Sequence, residues 1–334
     1  MACMGDWIIE DGIGTINCDS VPELLALLST TGDWGWIRDL RRSPWIFRGH
    51  LNSGWDLVPS AWRSPPDLVV QRIREKIESR IPFLKEVKSW DQTGGLPPPP
   101  VVDLHVAKEV VVQANIELAL LSEFIHRVDK LGIDILGELV PPLHHVGIFE
   151  HARPVAADDF LQLQGLASQA ALAQHYGIPT RLLDWSDDPL VAAFFSAWRP
   201  DDRMISADRV CVWGLNEDKV AAKGINLWGS VGLSLQIIRP KRSNNAYLRA
   251  QRGVFTFPWG AGCYALVNNG VYPSIEDFVR IVARGNSNSP LLRCITLPAS
   301  MTAELLSALE RRWVTLDDLM PSAQTVARQI TGGR

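Results

Sequence analysis

Residues 173–197 read AQHYGIPTRLLDWSDDPLVAAFFSA, and the parsing of this stretch sets the architecture. Its first residues close a helix predicted over 158–176 (DDFLQLQGLASQAALAQHY). Asp158 and Asp159 lie near the positive end of that helix, and Gly177 follows the last turn as a C-cap does. GIPTRLLDWSDD then reads as a loop. Pro189, suited to a first helical turn, opens a second helix at about 189–198 (PLVAAFFSAW). Gln174, His175, Thr180, Arg181, Asp184, Ser186 and Asp187 are thereby crowded between two apolar helices. Polar groups packed in that way find partners inside the fold or on a ligand.

On the N-terminal side the pattern is helical. Residues 20–29 carry a capping box, Ser20 with Glu23, and 67–89 and 101–131 have apolar positions at helical spacing. Between them DQTGGLPPPP (91–100) breaks the periodicity and reads as a hairpin tip. Residues 45–48 (WIFR) form a short strand, and 50–66 an irregular loop. On the C-terminal side 208–215, 233–240, 253–258 and 291–298 are β-like, with short helices at about 244–251 and 274–284 and closing helices at about 301–312 and 321–330. Helices first and strands later predict an α+β fold rather than regular βαβ alternation. The domain reading is a segment over 1–40 that caps one large domain over 41–334.

Composition narrows the function. Lys and Arg number 33 against 37 Asp and Glu, a net charge of −4, which gives no bulk attraction for nucleic acid or an anionic membrane. There is no long apolar run, no secretory pattern at the start, and no metal or redox spacing among the five cysteines. A cytoplasmic protein with reduced thiols and no metal is expected. No phosphate-loop, dinucleotide-fold or serine-hydrolase motif occurs.

Three clusters carry candidate chemistry. Arg48 ends a buried strand just before Gly49 and His50, where a rigid guanidinium fork suits phosphate or carboxylate. The alternative is an internal ion pair, for example with Asp184. In the central run His175 is a candidate acid or base, or a hydrogen-bonded structural histidine. Asp187 and Asp188 are expected to cap the following helix. Arg249, Gln251 and Arg252 precede the 253–258 strand, and Gln251 donates and accepts hydrogen bonds but carries no charge. His144, His145 and His151 lack ligand spacing and read as surface residues, and Glu117 and Glu123 as a solvated helix face. Thirteen tryptophans mostly supply core bulk, with Trp45, Trp55, Trp62 and Trp185 expected to wall the cleft.

These clusters, in this order, resemble the FRG domain family, named for the tripeptide here formed by Phe47, Arg48 and Gly49. AQHYGIPTRLLDWSDDPLVAAFFSA is similar to the family's long central motif, with Ser186 where threonine is usual. Arg249 and Gln251-Arg252-Gly253-Val254-Phe255 stand at its next landmark. The resemblance spans about residues 40–330, although DLMPSAQ (318–324) departs from the family's ending. The order of motifs is also similar to that of the ADP-ribosyltransferase superfamily. That likeness implies central β-sheets with a helical N-terminal half, and NAD as substrate. It also implies an ADP-ribosyltransferase or NAD glycohydrolase of a bacterial toxin or anti-phage defence system, with a macromolecular target or partner protein.

On that likeness Arg48, Gly49, His50, Arg181 and Ser186 would hold the nucleotide, and Asp184, Gln251 and His175 would serve catalysis. Gln251 stands where the superfamily places a glutamate, so either another acid (Asp184, Asp187 or Glu123) supplies the charge or the site binds a nucleotide without cleaving it. The alternative is a non-catalytic recognition module that uses the same cleft.

Overall fold

The computed structural model describes residues 7–29, 43–63, 68–80, 103–132, 166–199, 207–228, 231–240, 242, 245–284 and 290–322. The chain opens with a hairpin, β1 (Ile8–Glu10) and β2 (Ile13–Asn17), then α1 (Val21–Leu27) and β3 (Trp45–His50). Helices α2 (Leu68–Arg80), α3 (Leu104–Lys130) and α4 (Leu166–His175) precede β4 (Leu183–Ser186) and α5 (Pro189–Ala197). β5 (Arg209–Asn216), α6 (Glu217–Ala221), β6 (Gly224–Trp228) and β7 (Val231–Ile238) follow. The described chain ends with α7 (Ala246–Ala250), β8 (Gly253–Trp259), α8 (Ala261–Val267), α9 (Ile275–Val282), β9 (Leu292–Pro298), α10 (Thr302–Glu310) and α11 (Leu316–Leu319).

Among the described residues, nine strands form one sheet in the order β1-β2-β9-β5-β3-β4-β8-β7-β6. The β2–β9 pair is parallel and the other neighbours are antiparallel. The fold is thus mixed α/β with a large mixed sheet. One sheet stands where several were expected, and the first half contributes strands as well as helices. The described part of the 1–40 segment supplies two of those strands and places Val21 and Leu24 of α1 in a core.

Period-two alternation builds a layer on each face. Trp45 and Phe47 of β3, Val210 and Val212 of β5, and Ile295 and Leu297 of β9 pack with α1, α5 and α10. Ile46, Cys211, Trp213 and Cys294 point the other way, against Phe278 and Val279 of α9. A third cluster joins Phe255 and Phe257 of β8 to Leu121 of α3, Ala170 and Ala173 of α4, and Leu248 of α7.

Local signals explain the helix starts. Ser20 accepts the Glu23 N–H at 3.4 Å, while the Glu23 carboxylate reaches back to the Asp19 N–H rather than closing a capping box. Asp188 accepts the Leu190 N–H at 2.9 Å, with Pro189 at the first helical position, so it caps α5 as expected.

The main correction concerns the central stretch. Leu183–Ser186 is not loop but β4, paired with β8 from Leu183↔Thr256 to Ser186↔Gly253 and joined to β3 at Phe47↔Ser186. The expected helix over 321–330 falls almost wholly outside the described residues. The proline tip at 91–100, His144, His145, His151 and the start of the 158–176 helix also lie outside them. No helix among the described residues is long and apolar enough to cross a membrane.

Candidate functional site

Arg48 is aimed by its strand. Phe47 is locked in one core and Ile46 in the other, so β3 cannot rotate, and Arg48 enters a cleft of about 510 Å³. Its Nη1 donates to the Asp184 carbonyl at 2.8 Å and lies 2.6 Å from Asp184 Oδ1. The Arg48 side chain is 12% exposed and that of Asp184 56%, so the pair forms a floor with its carboxylate side open. Gln174 Nε2 also donates to Asp184 Oδ1, at 2.9 Å, and the Thr180 hydroxyl holds the Gln174 carbonyl at 2.6 Å. Desolvation in the concave floor pushes the Asp184 pKa up. The Arg48 charge and hydrogen bond outweigh it, leaving the carboxyl below its ordinary range and ionised.

His175 and Gln251 line the same cleft. The His175 ring sits 4.1 Å from that of Tyr247, and burial lowers its pKa, so it is neutral at physiological pH. Gln251 Nε2 donates to the Leu319 carbonyl at 3.1 Å, which ties the amide to α11. Arg48, Asp184, His175 and Gln251 are thus brought to one cleft from three parts of the sequence. Arg48 makes the internal ion pair with Asp184 that the sequence offered as the alternative, and it also lines the cleft.

The other candidates do different work. Arg181 is 3% exposed and pairs at 2.6 Å with Glu117, which is 4% exposed, under Trp62 and Phe257 rather than in the cleft. Glu117 is therefore a buried partner and not a solvated-face residue. Glu123 does lie on the exposed face of α3, paired with Arg127 at 2.6 Å. Ser186 Oγ donates to the Gln251 carbonyl at 2.8 Å and accepts the Asp188 N–H at 2.9 Å, fastening β4 to the α7–β8 corner. Gly49 faces the backbone of α5 at Ala192 and Ser196, with no room for a Cβ.

The tryptophan wall is absent. Trp45 and Trp185 lie in cores on opposite faces of the sheet. Trp62 stacks on Tyr272 at 4.6 Å, and Trp55 lines a separate crevice. Arg63 of the irregular loop does line the cleft and was not singled out by the sequence.

His50 stands behind Arg48, whose Nε donates to His50 Nε2 at 3.0 Å, so the neutral ring carries its proton on Nδ1. Burial, with the charges of Arg48 and Arg63, lowers its pKa from 6.5 to about 3. Unfolded chains take up this proton below 6.5 and the fold does not until about 3, so stability held above 6.5 is lost as pH falls through that window. The expected slope is up to about 1.4 kcal/mol per pH unit. Urea unfolding at pH about 7 and about 5 should show a larger acid loss for the native chain than for His50→Gln. Equal losses would disprove the assignment.

The FRG domain family model matches residues 150–204. The FRG domain match is confined to that segment. The match takes in α4, β4 and α5, hence Gln174, His175, Asp184 and Ser186. Arg48, Arg63 and Gln251 lie outside the matched segment: β3 joins it in the sheet, the Gln251 carbonyl accepts from Ser186, and the turn before Arg63 bonds to it through Ala61 and Thr180. No curated protein and no solved structure matches the chain. Among the described residues, no group of three or more His, Cys, Asp or Glu side chains could hold a metal ion.

Proposed function

We propose that the FRG cleft binds a nucleotide, with NAD as substrate, and that the protein is an ADP-ribosyltransferase-like enzyme or NAD glycohydrolase. The observation that carries this reading is the Arg48–Asp184 floor. Among the described residues Asp184 Oδ2 and Arg48 Nη2 make no hydrogen bond, so one cleft offers an open anion and an open donor side by side. Cleavage of the N-glycosidic bond of NAD builds positive charge on the ribose, which a fixed carboxylate stabilises. Asp184 is ionised and held by Arg48 and Gln174, so it fills the role that Gln251 cannot. Arg48 Nη2 would take a phosphate oxygen. A volume of about 510 Å³ falls in the range of small-molecule sites. The toxin or defence setting rests on the family resemblance alone.

A second reading, a recognition module without turnover, is favoured by the Gln251 amide, which is neutral and already bonded to Leu319. Incubation with NAD separates the two. An enzyme releases nicotinamide, and Asp184→Asn reduces release at least about tenfold while leaving the NAD-induced rise in melting temperature. A recognition module shows no release. Neither release nor a thermal shift, with or without lysate, rejects NAD as the ligand.

A further inference from the structure

We propose that Arg63 is the second arm of a phosphate clamp whose first arm is Arg48, gripping two neighbouring phosphoryl groups of the ligand. The inference deepens the nucleotide reading and rests on it for the ligand's identity, but not for its charge.

Arg63 follows a short 3-10 turn over Ser60–Trp62 that is unusually well held. The Ala61 N–H donates to the Thr180 carbonyl at 3.1 Å, and Gln113 Nε2 donates to the Ala61 carbonyl at 2.9 Å. Trp62 Nε1 donates to Glu117 at 2.8 Å. Arg63 Nε donates to the Val58 carbonyl at 3.1 Å. The base and the first nitrogen of the side chain are thus fixed, while both Nη groups make no hydrogen bond among the described residues.

The charge balance points to an anion. Burial and the nearby Arg48 charge both lower the Arg63 pKa, with Asp184 opposing them. Arg48, Arg63 and Asp184 line the same cleft, so two guanidinium groups meet one carboxylate there, and His50 behind them is neutral. The excess positive charge is relieved by an anion that bridges Arg48 Nη2 and the Arg63 Nη groups. A single carboxylate offers one anionic group, whereas a diphosphate offers a phosphoryl group to each guanidinium fork.

The test is calorimetric titration of the full chain with ADP, adenosine and inorganic pyrophosphate. The native protein should bind ADP at least about tenfold more tightly than adenosine. Arg63→Ala should weaken ADP and pyrophosphate about tenfold, leave adenosine unchanged and keep the melting temperature, and Arg63→Lys should restore part of the affinity. Arg280→Ala, at a remote arginine paired with Asp277, should change nothing. Nucleotides that bind equally to native and Arg63→Ala protein overturn the clamp and leave the nucleotide reading standing. Arg63-dependent pyrophosphate binding without ADP or NAD binding upholds the clamp and rejects the nucleotide. Binding of none of the three probes overturns both.

Discussion

Glu117→Ala should cost about 3–5 kcal/mol of folding stability, because it breaks a buried ion pair and takes its carboxylate from the guanidinium. Arg181 and Glu117 are 3% and 4% exposed, and Arg181 Nε lies 2.6 Å from Glu117 Oε2. The same carboxylate accepts Trp62 Nε1 at 2.8 Å and Gln113 Nε2 at 3.2 Å. Alanine removes all three acceptor contacts at once. The aromatic faces of Trp62 and Phe257, each 5.8 Å from the guanidinium, are weaker partners for it than the carboxylate. A double variant, Glu117→Met with Arg181→Met, removes both charges at similar volume and should recover most of the loss. Urea unfolding of the native chain, the single variant and the double variant provides the measurement. A single-variant loss below about 1 kcal/mol would mean that solvent reaches the pair.

That pair marks where sequence reading stops. Arg181 sits in the densest polar run of the chain, and the run was legible as a place where polar groups must be satisfied. Its partner is 64 positions away on α3, and the run around it, QANIELAL (113–120), does not say which distant side chain the carboxylate meets. Reading β4 as loop had a larger effect. Once Leu183–Ser186 is a strand, alternation buries Leu183 and Trp185 and turns Asp184 toward the cleft. The strand is four residues long, half polar and flanked by charge, so neither length nor composition identifies it; its pairing with β8 and β3 does. Arg48, Asp184, His175 and Gln251 were legible as candidates because each is a polar group placed against an apolar element. Arg63 was not, since its orientation depends on tertiary bonds from Thr180 and Gln113 to the turn before it.

Gly49→Ala should destabilise the fold by about 3 kcal/mol or more, and Gly49→Val should abolish it. A Cβ at residue 49 would collide with the carbonyl oxygen of Ala192 and stand 2.5 Å from the amide nitrogen of Ser196, both backbone atoms of α5. No rotamer change relieves a backbone clash, so α5 has to move off β3. That helix is held close by design of its small residues: Ala192, Ala193 and Ser196 are buried, and Ser196 donates to the Ala193 carbonyl at 2.8 Å. Displacing it also strips contacts from Val191 and Phe194 in the core shared with Phe47. Gly54→Ala is the control, since its Cβ would meet only the side-chain oxygen of Asn52, at 3.2 Å, and a loss below about 0.5 kcal/mol is expected there. Urea unfolding of both variants decides the matter; equal small losses would show that α5 yields to a methyl group at no cost. The Phe47-Arg48-Gly49 tripeptide then has a physical reading. Phe47 anchors the strand in the core, Gly49 lets α5 lie against it, and together they hold Arg48 rigidly at the cleft floor, where it faces Asp184.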